Sequence, residues 1–84
     1  ELPDLLEAAA AYLADVEGRP QFSRPMLMGK LREVSDAGFS REDGLRSLGK
    51  LLRDGKLQKL KGGRFSVTEE TEYRNAEGRN RNAG

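Results

Sequence analysis

The sequence lacks three residue types altogether: it has no cysteine, no histidine and no tryptophan. Without cysteine, the chain forms no disulfide, zinc knuckle or thiol nucleophile. Without histidine, it lacks the commonest general base and metal ligand. Its aromatic side chains are two tyrosines and three phenylalanines, which disfavours an RNA-binding surface built on base stacking.

Catalytic patterns are also missing from the sequence. No spacing sets a serine, lysine or carboxylate nucleophile beside a base, and no glycine-rich loop follows a predicted strand and opens a helix. The sequence therefore predicts that the protein is not an enzyme and requires no metal or other cofactor.

Long apolar runs are absent as well. None approaches the roughly 18–20 residues that cross a bilayer, and there is no signal peptide with a basic start and an apolar centre. The 84 residues fit one domain and 35% of them are charged, so we expect a soluble cytoplasmic domain with no membrane partner. Because the sequence opens at Glu1 without methionine, we expect it to be a piece of a longer protein.

Charge is distributed unevenly along the chain, although the net charge is only +1. Residues 1–18 carry five acids and no base, whereas residues 40–68 carry eight bases and three acids. Such asymmetry is typical of a domain that turns one face towards an anionic partner.

Residues 3–17 are predicted to form the first helix, because apolar side chains recur at three- and four-residue steps and Pro3 suits a first turn. Gly18 ends the helix and Pro20 prevents its continuation. The run Ala8–Ala11 lies partly beyond the apolar stripe. It indicates either a homodimer built on the first helix or an ordinary run of strong helix formers.

Two further helices follow. Ser23 is a good N-cap for a helix from Arg24 to about Ser35, and Ser40 opens another helix that ends at Gly55. The predicted buried positions are Leu27, Leu31 and Val34 on the second helix and Leu45, Leu48 and Leu52 on the third, with Leu51 at the edge. The turn between the two helices makes them a helix-turn-helix candidate.

Two glycines interrupt the third helix at a cost of roughly 1 kcal/mol each relative to alanine. Close approach of the second helix would explain Gly44. Close approach of a partner would explain Gly49, and the sequence leaves both interpretations open.

The segment 56–68 is predicted to be a hairpin, because two short strands flank Gly62-Gly63. A two-residue turn at these glycines pairs Lys61 with Arg64, Leu60 with Phe65, and Gln58 with Val67. Leu57 then falls on the opposite face, so a bulge or a different register is the alternative. Residues 21–22 are too few for an independent strand, but they fit an edge strand on this hairpin.

The C-terminal residues 74–84 contain no apolar side chain larger than alanine. They cannot bury enough surface to offset a chain entropy of roughly 1–2 kcal/mol per residue. The sequence thus predicts a folded domain over residues 1–73, followed by a disordered tail.

The predicted order of elements is helix, strand, helix, helix, strand, strand. This order resembles the winged helix-turn-helix family, and the stretch Leu51–Leu60 followed by Gly63–Val67 looks like that family's passage from recognition helix into wing. Its features are two leucines, an acid–glycine stop, a basic strand, a glycine tip and a returning strand led by an aromatic residue. The resemblance covers about residues 3–70 and implies an α+β fold of three helices packed on a short antiparallel sheet. Some members of the family bind DNA and others bind proteins.

Cations stand opposite the leucines on the third helix. Arg46, Lys50 and Arg53 form a stripe that a major groove would accept. Arg41 and Ser47 are placed where base edges or phosphates would be reached. The alternative for this stripe is a solvated face with ordinary ion pairs four residues apart.

The predicted hairpin tip adds Lys59, Lys61 and Arg64, which the resemblance places on phosphates or in the minor groove. The alternative is that these cations protect an edge strand against aggregation. The resemblance also implies that Ser23 and Arg24, at the start of the second helix, hold one phosphate on free N–H groups. A plain helix cap is the alternative for these two residues.

Two functions are consistent with these patterns. The first is binding of double-stranded DNA by a regulatory or targeting module of a larger bacterial protein. The second is a winged-helix module that binds other domains of the parent or another protein, without nucleic acid. The net charge of +1 and a pI of about 8.4 favour the second function, since many DNA-binding domains have a pI above about 9.

Overall fold

The chain folds into three helices and a three-stranded antiparallel sheet in a computed structural model, which describes residues 1–71. The elements are α1 (Leu2–Ala11, continued by a π-helical turn at Tyr12–Val16), β1 (Phe22–Ser23), α2 (Arg24–Val34), α3 (Arg41–Arg53), β2 (Leu57–Leu60) and β3 (Arg64–Val67). This order confirms the predicted α+β class. The predicted disordered tail, residues 74–84, lies outside the described residues. None of the helices in residues 1–71 has the length and apolar character needed to span a membrane.

The sheet has β3 at its centre, with β1 and β2 on either side. The hairpin register differs by one residue from the predicted pairing: Leu60 pairs with Arg64, and Leu57 pairs with Val67 across a three-residue connection. In this register Leu57 joins Phe65 and Val67 on the core face, where all three are buried. Burial of Leu57 explains the register, since the predicted pairing would turn that side chain to the opposite face.

The first helix ends at Gly18 as predicted, but its last turn is wider than an α-helix. Over Tyr12–Val16 the helix is π-helical. The N–H of Arg19 then donates to the carbonyl of Leu13 over 2.8 Å, across Gly18 at φ 68°. Glycine permits this closure because it adopts the left-handed conformation without steric cost.

The alanine run of α1 belongs largely to the protein interior. Ala9, Ala10 and Ala11 are buried, and Ala8 is half-buried. Small side chains at these positions let the other elements pack closely on α1. The run therefore does not offer the exposed self-association face that the homodimer prediction requires.

The local signals that open the second and third helices are confirmed. Ser23 Oγ accepts a hydrogen bond from the N–H of Met26 over 3.2 Å, and Ser40 Oγ accepts one from the N–H of Asp43 over 3.1 Å. After α3, Gly55 adopts a left-handed φ of 76°. Capping is decided by neighbouring residues alone, which is why sequence predicts it well.

One buried position predicted on α2 is wrong. Leu27 and Leu31 are fully buried, but Val34 is 43% exposed, and Met28 is buried in its place. Val34 is the last residue of α2, and the chain beyond it returns on the Met28 side, where Phe39 and α3 pack. The inner face of α2 is therefore centred on Leu27, Met28 and Leu31.

The third helix is rotated about its axis relative to the predicted orientation. Its buried residues are Gly44, Ser47, Leu48 and Leu51, whereas Leu45 and Leu52 are only half-buried. The rotation is somewhat less than one residue step of about 100°. It follows from close packing at Gly44, where a Cβ would lie 3.0 Å from Phe39 Cε2 and 3.1 Å from Met28 Sδ. Close approach of α2 is thus the correct explanation of Gly44.

Candidate nucleic-acid interface

The cation stripe of α3 lies on the surface, but two of its three members are paired. Arg46 Nη1 is 2.7 Å from Asp43 Oδ1, and Lys50 Nζ is 3.1 Å from Asp54 Oδ2. Exposed pairs at this spacing contribute about 0.2–0.5 kcal/mol. Arg46 and Lys50 therefore form the ordinary ion pairs of a solvated helix face, whereas Arg53 forms no ion pair with residues 1–71.

The sequence predicts that Ser47 faces outward, but the structure buries it. Ser47 is 6% exposed and lies on the flank of α3 that faces the start of α1. The groove between these helices, of about 420 Å³, is lined by Glu1, Leu2, Pro3, Asp43, Arg46, Ser47, Lys50 and Arg53. The rotation of α3 explains the difference, because it carries Ser47 inward together with Leu51.

The tip of the β2–β3 hairpin carries its three predicted cations on the surface. Lys59, Lys61 and Arg64 are exposed, and none of them forms an ion pair within residues 1–71. Arg64 Nη1 makes one long hydrogen bond, of 3.5 Å, to Gln21 Oε1. The hairpin tip thus leaves its charges available to an anion.

The start of α2 adjoins the hairpin tip because β1 pairs with β3. Ser23 stands directly opposite Arg64 in the sheet, and Arg24 follows as the first residue of α2. Backbone donors for a phosphate are few here: Pro25 has no N–H, and that of Met26 donates to Ser23 Oγ. Ser23 therefore acts as a cap, and the capacity to bind an anion rests mainly on the guanidinium of Arg24.

A second groove, which we call the α2–α3 groove, brings together Arg24 and Arg41. It measures about 240 Å³ and is lined by Arg24, Pro25, Met28, Arg32, Phe39, Arg41 and Leu45. None of its three arginines forms an ion pair with residues 1–71. Sequence reasoning missed Arg32 and Phe39. The four-residue spacing of Arg24, Met28 and Arg32 was the available signal, since it sets them on one face of α2.

Lys30 has a structural role outside these surfaces. Its Nζ lies 2.6 Å from Glu17 Oε2, 3.0 Å from Glu33 Oε1 and 5.0 Å from the centre of the Tyr12 ring. The hydrogen bond to Glu17, and next the one to Glu33, raises the pKa of Lys30 above its ordinary value. The cluster ties the π-helical turn of α1 to α2.

Lys56 also serves the fold. Its Nζ lies 3.5 Å from Oε1 of Glu7, a carboxylate that is 2% exposed. Its carbonyl accepts a hydrogen bond from Thr71 Oγ1. One of the eight bases of residues 40–68 is therefore committed to a buried acid, in keeping with the rule that buried charges are paired.

Comparison of the chain with protein-family models, curated proteins and solved structures finds no match. In the described part of the chain, no group of acidic side chains is arranged to hold a metal ion. What the surface does offer is a run of cations, free of ion pairs to residues 1–71, that passes from the hairpin tip to the start of α3. We call this run the cationic face, and it consists of Lys61, Arg64, Arg24 and Arg41.

Proposed function

We propose that the chain is a winged helix-turn-helix domain that binds double-stranded DNA through the hairpin tip, the start of α2 and the outer surface of α3. The observation that carries the proposal is the continuity of the cationic face. Strand pairing sets Ser23 against Arg64, and Arg24 and Arg41 line one groove. Cations from three separate segments thus form one positive strip, which suits a phosphate backbone. As part of a larger bacterial protein, such a domain would act in the cytoplasm.

The dimensions of α3 suit a major groove. Its 13 residues extend about 20 Å, at about 1.5 Å per residue. Arg46 and Lys50 exchange their carboxylate partners for phosphates at little cost. The exposed pairs contribute about 0.2–0.5 kcal/mol, whereas hydrogen bonds to charged groups contribute about 1.5–3 kcal/mol. Lys59, Lys61 and Arg64 contact the backbone beside the groove.

Protein binding is the second candidate function, and the ion pairs favour it. Arg46, Lys50 and Lys56 each have a carboxylate partner, and the net charge of the chain is +1. In that function, the domain binds another domain of a longer parent or a separate protein, with an affinity that varies little with salt. Salt-dependent binding to a DNA duplex therefore separates the two candidates.

Binding to a short generic duplex across a salt series tests the first proposal. If about five phosphates are neutralised, the logarithm of the affinity falls with the logarithm of the salt concentration, with a slope of about −4 to −5. Arg19→Gln is a matched control, because Arg19 is an exposed arginine outside the cationic face. We expect this variant to bind the duplex with an affinity within about threefold of that of the unsubstituted chain. Absence of detectable binding at low salt by a chain that circular dichroism shows to be folded would contradict the proposal.

A further inference from the structure

The floor of the α2–α3 groove is apolar and fixed in shape. Met28 of α2, Phe39 of the turn and Leu45 of α3 form it. Met28 and Phe39 sit so close to Gly44 that any Cβ there would contact both. Because this packing is part of the fold, the cavity exists before any ligand binds.

Three arginines surround this floor. The guanidinium carbon of Arg32 lies 5.4 Å from the centre of the Phe39 ring, a cation–π contact that holds it at the rim. Arg24 and Arg41 lie at the starts of α2 and α3. None of the three is neutralised by a carboxylate of residues 1–71, so the rim presents three positive charges around an apolar cavity.

The size and chemistry of the groove select its occupant. At about 240 Å³ it is smaller than the roughly 300–1,000 Å³ of small-molecule sites, so it suits a single anchoring side chain. Phosphates would use the rim but leave the apolar floor uncovered. A peptide with one large apolar side chain between carboxylates satisfies both the floor and the rim.

We propose that the α2–α3 groove binds an acidic segment of a partner protein. One large apolar side chain of that segment packs on Met28, Phe39 and Leu45, and its carboxylates bind the three arginines of the rim. Because Arg24 and Arg41 also belong to the cationic face, this segment and duplex DNA exclude each other. That exclusion rests on the proposed function, whereas the binding of the peptide does not.

Titration of the isotope-labelled chain with short synthetic peptides, followed by amide chemical shifts, tests the proposal. The probes carry leucine, phenylalanine or methionine between aspartates and glutamates. One matched peptide has serine at the centre, and another has lysines in place of the acids. We expect the acidic apolar probes to shift the amides of the groove residues, and both matched peptides to bind at least about tenfold more weakly.

Two variants test separately how the floor and the rim of the groove contribute to peptide binding. Arg32→Gln removes one rim charge, and Leu45→Ala shortens the floor without changing charge. Each is expected to weaken the best acidic probe about fivefold to tenfold, while Arg19→Gln leaves its affinity unchanged. Leu45→Ala also leaves duplex affinity unchanged, because it removes no phosphate contact.

Three results would overturn the inference: no amide shift with millimolar acidic probes, shifts centred outside the groove, or equal binding of the serine-centred peptide. None of these three results depends on whether the chain binds DNA. If the peptides fail while duplex binding is intact, only this inference fails. If the peptides bind the groove while no duplex binds, the proposed function fails and the groove assignment stands.

Discussion

The two flanks of α3 both carry cations, but they differ in what surrounds them. On the flank towards the start of α1, Arg46 and Lys50 lie within 3.1 Å of carboxylate oxygens. Arg53 is the cation of this flank that forms no ion pair with residues 1–71. On the flank towards α2, Arg41 joins Arg24 and Arg32 around an apolar floor, and none of these three is paired with a carboxylate of residues 1–71. The number of cations on a helix is therefore a poor measure of the charge available to a partner.

Residue spacing explains why the flanks differ. Asp43 is three residues before Arg46, and Asp54 is four residues after Lys50, which are the separations at which side chains meet on a helix. The residues three and four positions from Arg41 are alanine, glycine and leucine, so this arginine has no carboxylate of its own segment within reach. It remains available to phosphate or to a peptide carboxylate.

The largest expected effect comes from neutralising each flank in turn. Arg24→Gln with Arg41→Gln should weaken duplex binding about 100-fold, since two contacts between charged groups are lost. Arg46→Gln with Lys50→Gln removes the same net charge but should weaken binding less, about 30-fold, because each side chain gives up a carboxylate pair of about 0.2–0.5 kcal/mol to reach a phosphate. Fluorescence anisotropy with a labelled duplex measures both. Equal losses would show that the ion pairs do not matter to binding.

The packing that builds the α2-facing flank is tested by a pair of glycine substitutions. Gly44→Val should lower the free energy of unfolding by about 2 kcal/mol, because its side chain collides with Phe39 and Met28. Gly49→Ala should raise it by about 0.5–1 kcal/mol, since a Cβ there meets only Arg53 Nη1, at 3.4 Å. Urea denaturation measures both. A Gly44→Val variant as stable as Gly49→Ala would contradict the close packing.

The paired flank can be made to resemble the unpaired one. Asp43→Asn with Asp54→Asn frees Arg46 and Lys50 and removes two negative charges near the duplex. We expect duplex affinity to rise about threefold to tenfold and the salt dependence to steepen. The matched control is Glu69→Gln with Glu70→Gln, which changes the net charge equally at exposed sites that follow β3 and lie outside α3. A gain as large in the control would mean that net charge alone sets the affinity.

The smallest expected effect concerns Lys30, whose pairs belong to neither flank. Its folded-state pKa is raised above 10.5, the value that applies to the unfolded chain, so its pairs stabilise the fold fully below that pH. The stabilisation is lost as the pH rises through the folded-state pKa. Lys30→Gln should therefore be less stable than the parent chain at neutral pH and equally stable at strongly alkaline pH. Lys59→Gln, which removes an exposed lysine with no ion pair to residues 1–71, should show no such convergence.

Features set by neighbouring residues could be predicted from the sequence. The caps at Ser23 and Ser40 and the stops at Gly18 and Gly55 depend on side chains and backbone angles within one turn. The order of elements followed from these boundaries. The exposed cations of the hairpin tip were also identified, because a glycine turn between basic strands is a local pattern.

Features set by packing between elements could not be predicted in the same way. Leu51 and Ser47 are buried because Gly44 lets α3 rotate against Met28 and Phe39, and no pattern within α3 contains that information. The hairpin register likewise depends on where Leu57 meets the core. The α2–α3 groove combines residues of two helices and the turn between them. The sequence therefore indicates Arg24 and Arg41 as separate candidates and gives Arg32 no role.

Amide chemical shifts of the isotope-labelled chain, recorded while a short duplex is added at low salt, test most directly whether the cationic face binds DNA. We expect the largest shifts at residues 23–24, 41 and 61–64, with little change at Asp4, Leu5 and Val16 on the exposed side of the first helix. Shifts confined to that side of the first helix, or no shifts at all, would contradict the assignment of the cationic face to DNA.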